Sequence, residues 1–164
     1  MPAAALSTWN RLRASAAGRW LFSRAISFKA PYFATIRPTF LRLEPGTCEV
    51  ALRKRRAVLN HIGTVHAIAM CNLAELAGGL VTEVTLPDTH RWIPKGMRVD
   101  YLAVAKTDLV ATARCILPPA LADLQTLEVP VEVRDADGAT VFRALIEMHV
   151  SKRRPFVARD SRRS

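Results

Sequence analysis

Cysteine is scarce in this chain: Cys48, Cys71 and Cys115 are too few and too scattered to staple a fold, and none belongs to a Cys-x-x-Cys pair. That excludes a disulfide framework and makes a reducing compartment, the cytoplasm, the expected setting. Cys71 sits in an apolar run with no cationic neighbour in sequence to activate its thiol, so it reads as a small core residue. Histidine is as thin. His61 and His66 lie five apart with no other His or Cys at ligand spacing, so no metal site and no cofactor are expected. The sequence has no Gly-rich phosphate loop, nucleophile elbow or internal repeat.

Acidic residues are missing from one whole end. From Met1 to Leu43 there is no Asp or Glu against seven Arg or Lys, and the stretch from Ser151 to Ser164 sets six more against Asp160 alone, which more than accounts for the formal charge of +10. Such ends favour anionic partners or simply stay solvated. They lack the interleaved aromatic and Gly pattern of a stacking platform, so nucleic acid is not an expected partner. Residues 5–29 place Leu6, Trp9, Leu12, Ala16 and Trp20 at helical spacing among Arg11, Arg13, Arg19 and Arg24. Three readings compete for this basic amphipathic helix: a transit peptide, a membrane-surface anchor, or a helix packed on the domain's own sheet, the last being favoured. Arg residues interrupt every apolar core that a secretory signal would need.

Only one run is long and apolar, Ala67 to Val81, with Asn72 and Glu75 as its strongly polar residues. It falls short of the ~20 residues a bilayer demands and carries a carboxylate near its middle, so a buried helix is the better reading than a membrane span. Its apolar residues point all round the cylinder, and Thr64 stands where it can cap the start. A carboxylate in an otherwise enclosed helix is costly to ionise unless partnered, which makes Glu75 the first residue to suspect of chemistry, beside the plainer reading of a Glu paired to an Arg.

Around that helix the period is two. Thr35 to Leu43 and Thr47 to Lys54 read as a hairpin through Glu44-Pro45-Gly46. After the helix, which Gly78-Gly79 is expected to bring close to another backbone, Glu83 to Leu86 reads as extended. Longer strands follow at Met97 to Ala105, Leu109 to Leu117, Leu127 to Arg134 and Thr140 to Val150, the last two forming a hairpin across Asp135-Ala136-Asp137-Gly138. The chain therefore divides into a basic helical segment (1–30), one α+β domain (31–151) and a basic tail (152–164). About six antiparallel strands, each with one apolar face, and one enclosed helix are solved together if a curved sheet wraps the helix.

That order resembles the hotdog fold, and the centre of the chain strengthens the likeness. Asn60-x-x-Gly63-Thr64-x-His66, followed by Leu73-Ala74-Glu75, is similar to the signature of the phenylacetyl-CoA-type hotdog thioesterases, in which a catalytic Asp or Glu follows the His by nine residues. The whole chain is also similar to a little-characterised branch of hotdog proteins. The resemblance implies hydrolysis of an acyl-CoA thioester. Glu75 would be base or nucleophile, the Ala67 N–H the oxyanion donor, Asn60 would orient water or thioester, and His66 would brace the loop. Gly63, Thr64, Ile68 and Asn72 would line the substrate path. Lys95 and Arg98, with Arg53, Arg56 and Lys106, are candidates for the CoA diphosphate. The resemblance further implies a homodimer, or a dimer of dimers, with the Met97 to Ala105 edge continuing one sheet into a second copy.

Two departures from the family's pattern stand out. Ala67-Ile68 replaces its Gly-Gly, and Trp92-Ile93-Pro94-Lys95 holds no counterpart of the hydroxyl residue that helps many relatives. These favour a non-catalytic acyl-binding protein as the alternative. The gap of 14 residues from His61 to Glu75 is similar to that of hotdog dehydratases, but Ile62 to Ala74 lacks their Pro.

Overall fold

The computed structural model describes residues 4–153 of the chain, so most of the basic tail expected at 152–164 lies outside the described residues. Its centre is helix α3 (Ala67–Thr85), held in the hollow of one six-stranded antiparallel sheet. The strands are β1 (Thr39–Glu44), β2 (Thr47–Leu52), β3 (His90–Tyr101), β4 (Leu109–Arg114), β5 (Leu124–Arg134) and β6 (Thr140–Lys152). Their spatial order is β1-β2-β4-β5-β6-β3. This is the hotdog fold expected from the sequence. Alternation does the work: Cys48, Val50 and Leu52 of β2, Val129, Val131 and Val133 of β5, and Ile146, Met148 and Val150 of β6 are all buried against the helix side.

The β1–β2 and β5–β6 hairpins form as their turns predict. The next step differs from a simple meander. After α3 the chain runs to the far edge, pairs β3 with β6, and then crosses back to place β4 beside β2. β3 is therefore an edge strand. It tolerates Pro94 because the register shifts between Pro94 and Gly96, a bulge that absorbs the missing N–H.

α3 also runs past the point where the sequence ends it. Glu83 to Thr85 is helical and not extended, since Gly78 and Gly79 serve packing inside the helix. A methyl at Gly78 would lie 2.7 Å from Ile146 Cδ1, and one at Gly79 would lie 2.9 Å from the Trp92 ring. Trp92 then donates its Nε1–H to Glu83 Oε2 at 2.7 Å, tying the last turn of α3 to β3. Long-range packing outweighs the cost of two glycines in a helix, roughly 1 kcal/mol each.

The N-terminal segment is two helices, α1 (Ala4–Leu12) and α2 (Ala16–Lys29), in place of one. Ser15 causes the break: its hydroxyl accepts the Gly18 N–H at 3.0 Å and caps α2. Trp9, Phe22 and Phe40 meet edge to face, with Trp9–Phe22 and Phe22–Phe40 centroids 5.1 Å apart, which locks both helices onto β1. Buried Ser23 donates to Arg19 O and accepts the Phe40 N–H at 3.0 Å, so α2 satisfies a backbone donor on the outer edge of β1. Of the three readings of this segment, the helix packed on its own sheet describes what is seen. Its other face leaves Trp20, Leu21 and Phe28 exposed.

Candidate functional site

The segment Leu59 to His66 delivers the chain to the head of α3, and Asn60 organises it. Asn60 Oδ1 accepts the N–H groups of Ile62 and Thr64, both at 3.1 Å, and Nδ2 donates to Thr64 Oγ1 at 2.8 Å. Gly63 sits at φ 78°, a left-handed conformation that glycine takes without strain. The loop is braced from within, and one Asn60 amide hydrogen remains for a ligand. Thr64 is committed to Asn60 and does not cap the helix. The cap is His66, whose Nδ1 accepts the Ile68 N–H at 3.0 Å, so its other ring nitrogen carries the proton.

That leaves the Ala67 N–H. It is the first backbone donor of α3, and no acceptor among the described residues meets it. A helix of 19 residues points its positive end at this spot. Its neighbours His66 and Ile68 line a cleft of about 350 Å³, together with Asn72 from the same helix and with Tyr32, Thr35 and Val58. Asn72 is 6% exposed; its Nδ2 donates to Thr35 Oγ1 at 3.1 Å and its Oδ1 has no partner.

Glu75 is placed otherwise than the sequence suggests. It is exposed, with no ion pair or hydrogen bond to the described residues, so the enclosed setting expected of it is absent within one chain. It belongs to the one stripe of α3 that the sheet leaves open, with Ile68 exposed and Cys71 half-buried. Beside it lies a smaller hollow of about 140 Å³ formed with Phe33, Gly79, Trp92 and Pro94. Cys71 Sγ meets Tyr101 Oη at 3.3 Å, and that hydrogen bond, with burial, pushes the Tyr101 hydroxyl pKa up to about 12.

The structure thus brings His66, Ala67, Ile68 and Asn72 together, with Asn60, Gly63 and Thr64 supporting them from behind. Glu75 stands two helical turns away on the same helix. Lys95 and Arg98 lie exposed on β3, where Arg98 pairs with Glu128 at 3.3 Å. Tyr32 and Thr35 are additions that the sequence does not signal, because they reach the cleft from the short 3-10 turn Pro31–Thr35, well before α3 in the chain. No cluster of three or more His, Cys, Asp or Glu suited to a metal occurs among the described residues. By length and composition α3 is apolar enough to cross a membrane, yet most of it is packed inside the sheet.

Comparison with known proteins agrees with this architecture. The model of a family described as a domain of unknown function (DUF4442) matches residues 18–150. A structural-genomics crystal structure is 46% identical, with a TM-score of 0.78 over 91% of this chain and 98% of that one. A thioesterase from Haemophilus influenzae shares the fold at 13% identity, with a TM-score of 0.65 over 74% of this chain and 82% of its own. A thioesterase family protein from Silicibacter pomeroyi does so at 16% identity, with a TM-score of 0.68 over 80% and 96%. No curated protein matches in sequence.

Proposed function

The chain belongs to the DUF4442 family, and from that premise we propose that it hydrolyses acyl-CoA thioesters in a site completed by a second copy of itself. The observation that carries this reading is the unpaired Ala67 N–H at the head of the central helix, between His66 and Ile68, which both line a cleft of about 350 Å³. A thioester carbonyl laid against that N–H gains a donor whose partner charge grows as the oxyanion forms, in the field of the helix dipole. His66 and the Asn60 loop hold the donor still, which is the condition for such stabilisation to count. That hotdog structures named as thioesterases share this fold supports the same reading.

Glu75 supplies the base. Along one helix Ala67 and Glu75 are eight residues apart, ~12 Å at ~1.5 Å per residue, too far for both to reach one carbonyl carbon. A copy related by a two-fold axis, with α3 stripes facing and β3 edges adjoining, sets its own Glu75 opposite the first helix's start. Glu75 of that copy takes a proton from water as the oxygen adds to the carbonyl. The tetrahedral species collapses, the carbon–sulfur bond breaks, and the proton returns to the departing thiolate. The open stripe of α3 and the exposed Ile93, Met97 and Tyr101 of β3 support this pairing.

A panel of acyl-CoA esters of graded length, assayed for thiol release, tests the reading. Turnover that falls on substituting Glu75 supports it. Binding of acyl-CoA with no hydrolysis across the panel replaces it with the acyl-binding alternative, which the exposed Ile68 beside the donor favours on steric grounds.

A further inference from the structure

Three arginines gather beside the segments 35–36 and 57–59, which line the cleft. Arg24 of α2 donates through Nη2 to Pro38 O at 2.9 Å, and Arg55, after β2, donates through Nη2 to Thr35 O at 2.6 Å. Those two carbonyls bracket Arg37. Thr35 and Ile36 line the cleft from one side, and Val58, whose N–H bonds the Arg55 carbonyl, lines it from the other. None of the three arginines pairs with a carboxylate among the described residues, whereas Arg42, Arg98, Arg134 and Arg143 each do. The Nε groups of Arg24 and Arg55 are buried and unpartnered as well.

The backbone adds a second observation. Arg37 is the one described residue other than glycine with positive φ, at 47°. Glycine or asparagine fills that left-handed region with less strain, so the arginine is held there against local preference. Burial, then the charges of Arg37 and Arg24, push the Arg55 guanidinium below its ordinary value. Three like charges, two of them half-buried and Arg37 exposed, oppose one another until an anion joins them. The planar fork of arginine fits a phosphate with paired N–H donors, and each guanidinium here has most of its five donors unspent.

We propose that Arg24, Arg37 and Arg55 form a phosphate-binding site at the lip of the cleft, and that it takes the phosphorylated nucleotide end of the thioester's carrier. The identity of the carrier rests on the thioesterase reading; the phosphate chemistry does not. The thioester then lies with its carbonyl at the head of α3 and its phosphates at the arginines, so one end of the ligand fixes the other in register. Lys95 and Arg98, exposed on the far edge strand, lie apart from these three within one chain.

The test uses the full chain and calorimetric titration with coenzyme A and with pantetheine, which lacks the phosphates. Coenzyme A should bind at least about tenfold more tightly, and Arg37→Gly should remove about tenfold of that, ~1.4 kcal/mol, while leaving pantetheine binding unchanged. Because glycine relieves the left-handed backbone, the variant should melt no lower than wild type, which separates lost binding from lost folding. Arg55→Lys, which keeps the charge but not the fork, should also weaken coenzyme A selectively. Equal affinity for the two ligands, or an Arg37→Gly variant that binds coenzyme A as wild type does, overturns the proposal. Binding to phosphatidylglycerol vesicles that depends on Arg37, without Arg37-dependent binding of coenzyme A, assigns the phosphate to a lipid headgroup and overturns the carrier. Arg37-dependent binding of coenzyme A in a protein that hydrolyses no thioester upholds the site and removes the hydrolase reading.

Discussion

Replacing Ala67 by proline deletes one atom that the proposed chemistry needs and that the fold does not. Ala67 is the first residue of α3, where the N–H has no helical partner and proline's fixed φ suits the helix. The residue before a proline must be extended, and His66 already sits at φ −64°, ψ 138°. The His66 cap uses the Ile68 N–H and survives. Folding stability should therefore change by less than about 1 kcal/mol. Turnover should fall by roughly 10²–10³, the ~2.7–4 kcal/mol that losing one oxyanion donor costs. Initial rates of thiol release and a thermal melt measure the two separately. Ala67→Ser, which keeps the N–H, should retain most activity. Wild-type turnover in a fully folded Ala67→Pro protein would refute the role given to the helix N-terminus.

Glu75→Gln should lower turnover on the order of a hundredfold or more with little change in melting temperature, because its side chain bonds nothing among the described residues. Unfolding Ala67→Pro and Glu75→Gln proteins and refolding them together should give about half mixed dimers, each with one intact site, and roughly a quarter of wild-type activity. Recovery of none, with mixed dimers verified by mass spectrometry, would place both groups within one chain. Trp9→Ala should cost about 3–5 kcal/mol and lower the melting temperature by roughly ten degrees, since its ring packs on Phe22 and Phe40; a smaller effect than at exposed Trp20 would contradict a packed α1. Gly79→Ala should cost about 1–3 kcal/mol by displacing Trp92, visible as a lowered melt and altered tryptophan fluorescence.

Residues whose roles are periodic were legible in the sequence. The strand faces of β2, β5 and β6 and the apolar body of α3 follow from alternation and composition, and the spacing of Asn60, His66 and Glu75 placed the loop, the helix head and the carboxylate in order. What tertiary contact decides was hidden. Gly78 and Gly79 look like helix punctuation until Ile146 and Trp92 are seen against them. Ser15 divides one amphipathic pattern into two helices by a single hydroxyl. Glu75 reads as buried from its apolar neighbours in sequence, whereas the sheet leaves its stripe open. Tyr32 and Thr35 reach the cleft from a segment well before α3, and no spacing rule connects them to it.

The hydrogen bond from the Phe40 N–H to Ser23 has an architectural result. An antiparallel sheet with two free edges can recruit neighbours without end, which is the route to fibres. Here α2 lies over the β1 side and leaves only the β3 side available, so the sheet has a valence of one. Were a second six-stranded sheet joined through that side, a helix would shield each outer margin and extension would stop there. The limit on such growth would be set by one buried serine, Ser23, on the opposite margin of the sheet.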